Sequence, residues 1–196
     1  LRNASPLAVL ITAIGVSYLL QNVALIIFGS AAQSFTSVVK NVAPVTIGGV
    51  TISMETIISI VVSVIIMICL TFFINKTKAG KAMLAVSEDK GAAQLMGINV
   101  NSTISLTFAI GSALAGVASV LLCSSYPQIS PYTGSMPGIK AFVAAVFGGI
   151  GSIPGAMIGG ILLGVIENLS KAYISSQLSD AIVFLVLIVV LIVKPT

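Results

Sequence analysis

Long apolar runs alternate with short polar connections along this chain, and that rhythm predicts membrane-crossing helices. Residues 3–39, 56–75, 91–139 and 141–166 contain no Asp, Glu, Lys or Arg. A helix needs about 20 predominantly apolar residues to cross a hydrocarbon core of roughly 30 Å. Leu7 to Phe28 is the first such span, with Thr12, Ser17, Gln21 and Asn22 as its interruptions. Asn3 and Ser5 ahead of Pro6 are helix-start chemistry. Gln21 and Asn22 are expected near an interface or a neighbouring helix. Ile57 to Ile74 is the second span, with Ser53 as its expected cap and Glu55 in its positively polarised first turn. Ser102 to Leu122 is the third, carrying the small residues Gly111, Ser112, Ala115 and Gly116. Leu178 to Val193 is the last apolar segment.

Two stretches break the rhythm. Val45-Thr46-Ile47 and Val50-Thr51-Ile52 flank Gly48-Gly49, the alternation and two-residue turn of a β-hairpin. After a turn-rich loop from Ser124 to Gly138, Ile139 to Phe147 is too short to cross a membrane alone. It ends in Gly148-Gly149-Ile150-Gly151-Ser152-Ile153-Pro154-Gly155, and a second helical piece runs from Ala156 to Asn168. In that piece Ala156, Gly160 and Gly164 recur every four residues and predict a smooth packing ridge.

Composition turns this pattern into a class. Only 14 of 196 residues are charged, 57% are hydrophobic and the mean hydropathy is +1.17. Soluble domains carry about a quarter charged residues, so a soluble enzyme, a disordered segment and a nucleic-acid binder are all excluded. The expected fold is an all-α polytopic transmembrane bundle, one domain over residues 1–196, with a glycine-broken helix pair and a small external β-hairpin. The start at Leu1 rather than Met, without a signal-peptide pattern, leads to the expectation of a fragment.

Charge placement orients the bundle. Lys76, Lys78, Lys81 and Lys90, four of the nine basic residues, fall in the loop over about 75–101. The positive-inside rule makes that loop cytoplasmic and the hairpin external. Lys40 is a single exception, and Lys194 is a cytoplasmic anchor. The broken pair then enters from outside and leaves to outside. Its glycine turn lies deep in the membrane or at the cytoplasmic face, a depth at which irregular backbone must be covered by protein or line a wet cavity.

Little catalytic chemistry can be assembled. There is no histidine, no phosphate loop, and the partial G-x-G-x-x-G fit at Gly149 fails at Pro154. Cys69 and Cys123 fall in different spans and are expected to be packing residues. No metal or cofactor is expected. Glu55, Lys140, Glu167 and Asp180 fall near helix ends, so no mid-span acidic pair supports ion coupling, and Glu167 is placed at an interface. The cytoplasmic loop offers more. Ser87 as cap, Glu88 and Asp89 in the first turn and Gly97 just past the end predict a helix of about nine residues, Glu88 to Met96. On it Ala92, Leu95 and Met96 form an apolar patch that lies on the membrane surface, packs on its own domain, or docks a cytoplasmic protein.

Gly80-Lys81-Ala82-Met83 and Ala92-Ala93-Gln94-Leu95-Met96-Gly97-Ile98-Asn99 resemble the permease subunits of branched-chain amino-acid ABC transporters, the LivH type. So do the runs from Phe108 to Ala118 and from Gly138 to Ala156. The resemblance covers essentially the whole chain and is strongest from Gly80 to Glu167. The resemblance implies that roughly the first third of a family member, with its initial transmembrane helices, and a few residues after Thr196 are expected to lie outside this sequence. Leu84 stands where a basic residue is common, and Ser119 where a glycine is common. The resemblance implies that Ser87, Glu88, Asp89, Ala92, Leu95, Met96 and Gly97 build the coupling helix of an importer for leucine, isoleucine or valine. Its implied partners are a second homologous permease, two cytoplasmic ATP-binding subunits that hydrolyse the ATP, and an extracytoplasmic solute-binding protein. Its implied place is the bacterial or archaeal plasma membrane. Gly148, Gly149, Gly151, Pro154, Gly155, Gly160 and Gly164 are the packing residues of the broken pair. Transport residues are expected from that pair and the third span, with no solute-contacting side chain identified. The alternatives are a same-family permease for urea, short amides or other amino acids, and a stand-alone channel or secondary transporter.

Overall fold

The computed structural model describes residues 6–36, 45–47, 50–149 and 151–193. The expected caps Asn3 and Ser5, the Gly48-Gly49 turn, Lys40 and Lys194 lie outside the described residues. Among the described residues four helices are long and apolar enough to cross a membrane: α1 (Pro6–Phe28), α2 (Met54–Lys76), α5 (Val100–Ser125) and α7 (Ile153–Tyr173). Between α2 and α5 stand α3 (Lys78–Glu88) and α4 (Lys90–Leu95), and the shorter α6 (Ser135–Gly148) and α8 (Ser179–Val193) flank α7. The expected all-α bundle is what forms. Its spans run a few residues beyond the predicted bounds at most ends, because helix backbone continues into the interfacial residues.

Two small strand pairs sit between the long helices. β2 (Val45–Ile47) and β3 (Val50–Ile52) form the expected hairpin, with Thr46 opposite Thr51. A second pair was not foreseen: β1 (Gln33–Ser34) bonds antiparallel to β4 (Gln128–Ile129), tying the exit of α1 to the connection after α5. Strands of two residues carry too little pattern to be seen in a sequence. Ser53 stands at the N-cap of α2, but its hydroxyl lies 2.8 Å from the Thr56 hydroxyl and caps no backbone N–H.

Buried packing concentrates in α6, α7 and α8. Val143, Ala144, Leu163 and Val183 form the core cluster, with Phe147, Phe184, Val186 and Leu187 packed around it. Side chains on α1, α2 and α5 are mostly turned outward, Ile26, Ile60, Phe72 and Phe108 among them. For a protein solvated by lipid such faces carry no penalty.

Candidate functional site

Two features of the fold have functional geometry, and they lie at different depths. The first is the elbow of α3 and α4 between the ends of α2 and α5. Thr77 turns the corner out of α2. Its Oγ1 donates to the Phe73 carbonyl at 2.6 Å and accepts from the Gly80 N–H at 3.0 Å. Gly80 is pressed onto the backbone of Phe73 and Ile74, where a methyl group would overlap main-chain atoms. That contact folds α3 back against α2 and α5, where it buries Val86.

The expected nine-residue helix is corrected here. Ser87 is inside α3, and its hydroxyl donates to the Leu84 carbonyl at 2.7 Å; Glu88 is the last residue of that helix. Asp89 is the cap of α4, its Oδ1 accepting from Gly91 N at 2.7 Å and Ala92 N at 3.1 Å. A carboxylate takes two N–H donors at once and carries charge to the positive helix end, so it outcompetes the serine two residues earlier. The new helix is six residues long. It closes in a Schellman turn: Ile98 N–H donates to Ala93 O and Gly97 N–H to Gln94 O, both at 3.0 Å, with Gly97 at φ +82°. Asn99 caps α5 at once by accepting from Ser102 N.

This double capping fixes what α4 presents. Ala93 is buried beneath it, while Ala92 is exposed and Leu95 and Met96 are 90% and 83% exposed. The apolar patch is therefore turned away from the elbow, and packing on its own chain is not its role among the described residues.

The second feature is the glycine hairpin of α6 and α7. Gly149 and Gly151, at φ +92° and +95°, make the turn, and Ser152 caps α7 by accepting from Gly155 N at 3.1 Å. Pro154 sits in the first turn of α7, where a missing N–H costs nothing. Below the turn the two backbones touch. A methyl at Gly148 would fall on the Gly155 carbonyl, and one at Gly155 on the Gly148 carbonyl. One at Gly159 would come within 2.5 Å of the Ala144 carbonyl. The predicted ridge is thus shifted by one position. Gly155 and Gly159 carry the contact, Gly160 stands at ordinary distance from Ala144, and nothing described lies within 4 Å of a side chain at Gly164. Both frames have small residues every four positions, and only the partner helix decides which frame it meets.

The charged ends of these helices converge. Lys140 Nζ lies 2.8 Å from Glu167 Oε1 on α7 and 2.7 Å from Asp180 Oδ1 on α8, and Lys171 bonds the same Glu167 oxygen. The expectation treated these residues singly, as interface markers. Separations of 27 and 40 positions in the chain give no sequence signal that they meet.

Between α7 and the helices α2 and α5 the packing is looser. Met67 and Leu70 of α2, Leu114 and Leu121 of α5, and Ile153 and Met157 of α7 line an apolar cleft of about 240 Å³, with Ser63 as its polar member. These are mid-helix positions on α2 and first-turn positions on α7, so the glycine turn lies at the mid-depth of the bundle. Among the described residues no His, Cys, Asp or Glu cluster could hold a metal, and Cys69 and Cys123 are both free thiols.

The family profile for the branched-chain amino acid transport system permease component matches residues 6–191. The permease protein LivH of Escherichia coli, of the high-affinity branched-chain amino acid transport system, is 46% identical over the whole chain. BraD of Pseudomonas aeruginosa is 44% identical over the same extent. A probable LivH of Methanocaldococcus jannaschii is 39% identical over 61% of the chain and 38% of its own length. The chain spans 64% of the length of LivH and 65% of BraD. No solved structure matches it. Four apolar helices of spanning length and a profile match across almost every residue lead to one assignment: this multi-pass membrane chain belongs to the family of branched-chain amino acid transport system permease components.

Proposed function

We propose that the chain is a permease subunit of an ATP-binding-cassette importer that carries leucine, isoleucine and valine inward. The observation that carries this reading is α4: a short helix capped at both ends that holds Leu95 and Met96 out of the bundle. Such a face suits insertion into an apolar groove of a partner. The identity to LivH and BraD, whose names specify branched-chain amino acid transport, supports the solute class. Four lysines around the elbow support a cytoplasmic position for α3 and α4, and the membrane in this reading is a bacterial or archaeal plasma membrane. There two ATP-binding subunits dock on Ser87 to Gly97 and hydrolyse the nucleotide. A second homologous permease completes the pore, and a solute-binding protein delivers the amino acid to the opposite face.

Nucleotide binding closes the ATPases and moves α4, which biases the bundle between outward-open and inward-open states. The test is uptake of labelled leucine into vesicles that hold the full-length permease with its partners. Uptake that needs the ATPases and is competed by valine and isoleucine is the expected result. Competition by urea alone would replace the solute class, and uptake without ATPases would replace the importer by a stand-alone channel or secondary transporter.

A further inference from the structure

The bundle is packed unevenly, and the unevenness separates parts that move together from parts that do not. At the mid-depth end, α6 and α7 are in backbone contact through Gly148, Gly155 and Gly159. Along their length Val143, Leu163 and Val183 close the space between α6, α7 and α8. At the far end Lys140 bonds carboxylates on both other helices. The glycine contacts pair 148 with 155 and 144 with 159, which extrapolates to Lys140 opposite Leu163. The lysine stem covers the remaining turn to reach Glu167, as long cationic side chains do along apolar surfaces. Lys140, Lys171, Glu167 and Asp180 sum to zero charge, so the network is neutral as a unit and leaves an uncompensated charge when opened. By contrast α7 faces α2 and α5 across an apolar cleft of about 240 Å³, and among the described residues no salt bridge spans it.

We infer that α6, α7 and α8 form one rigid body, that Lys140 is the positioning residue pinning α8 to the glycine hairpin, and that rearrangement during transport occurs at the seam with α2 and α5. The inference rests on the importer reading and adds to it which interface moves. A close-packed interface resists sliding because every displacement loses contacts or forces overlap. A partly filled seam can be repacked at lower cost.

The test uses the full-length permease assembled with its ATPases and binding protein, with Cys69 and Cys123 replaced by alanine. A side-chain carbon at Gly160 would stand 3.8 Å from the Ala144 Cβ, within disulfide range. Ala144→Cys with Gly160→Cys, once oxidised, is expected to keep ATP-driven uptake within about twofold of its reduced form. Met67→Cys with Met157→Cys, bridged by a short thiol-reactive linker across the seam, is expected to lose at least about tenfold, restored when the linker is left out. Uptake abolished by the first bridge, or unaffected by the second, overturns the rigid body. Lys140→Met provides an arm independent of cysteine chemistry. It should lower uptake per ATP hydrolysed about fivefold while hydrolysis persists, and Lys140→Arg should restore it. An unchanged ratio in Lys140→Met overturns the pinning role. No ATP-driven uptake in the unbridged, lysine-containing protein would instead count against the importer reading itself.

Discussion

At α4, Gly97 adopts φ +82° in open space, with nothing within 4 Å of where a side chain would stand. At the α6–α7 hairpin, Gly148, Gly155 and Gly159 lie in helical backbone, and a methyl on any of them would strike the opposite main chain. The first glycine is needed for its backbone conformation and serves exposure, ending a helix so that Leu95 and Met96 stand clear. The other three are needed for their lack of volume and serve burial, letting two helices meet where side chains would hold them apart. One residue type thus builds an exposed apolar face, which the proposed function gives to a partner, and a seam closed to side chains. The two roles predict different failures.

The hairpin should fail through stability. Gly155→Leu and Gly159→Leu are expected to cost at or above the roughly 3 kcal/mol upper end of ordinary overpacking, because the obstacle is backbone. Gly164→Leu should be tolerated, since no described neighbour is near. Thermal unfolding of the purified protein in detergent, followed with all three variants, checks the contrast. Equal losses at 159 and 164 would erase the distinction between the two frames. The elbow should fail through coupling instead. Leu95→Glu with Met96→Glu is expected to cut ATP-driven uptake at least about tenfold while melting changes by no more than about 0.5 kcal/mol equivalent, the usual range for exposed positions. Parallel uptake and melting curves separate the two outcomes.

Smaller effects sharpen the elbow itself. Asp89→Ala removes the acceptor of two N–H donors and should cost about 1 kcal/mol, within the range for N-cap loss. Ser87→Ala removes a hydroxyl bonded only within α3 and should be near neutral, within about 0.5 kcal/mol. Hydrogen exchange at Gly91 and Ala92 discriminates them: faster in Asp89→Ala, unchanged in Ser87→Ala. The reverse pattern would restore the serine as the cap.

The spans and the broken pair were readable because each is written locally, in runs of apolar residues with glycine and proline between them. Gly97 was readable for the same reason, since a C-terminal glycine after Leu95 and Met96 needs no tertiary information. The cap of α4 was misplaced because Ser87 and Asp89 both satisfy the local rule, and the choice depends on α3 extending through Glu88 under the Gly80 corner. Gly80 itself was noticed as part of a family pattern, while its physical reason, contact with Ile74, appears only in three dimensions. The packing frame on α7 and the Lys140 network share that limit. Which of two small-residue stripes is used, and which of several end charges meet, is decided by a partner helix distant in the chain.

Only Met96, Gly97, Ile98 and Asn99 separate α4 from α5, and each of the four is hydrogen-bonded to a neighbouring turn. Such a joint leaves few backbone torsions free of a hydrogen-bonded turn. In the proposed importer a displacement imposed at Leu95 would meet little slack in the connection before the foot of the 26-residue α5. In the proposed importer the elbow then works as a crank, and its stiffness bears on how much of an applied stroke reaches the bundle.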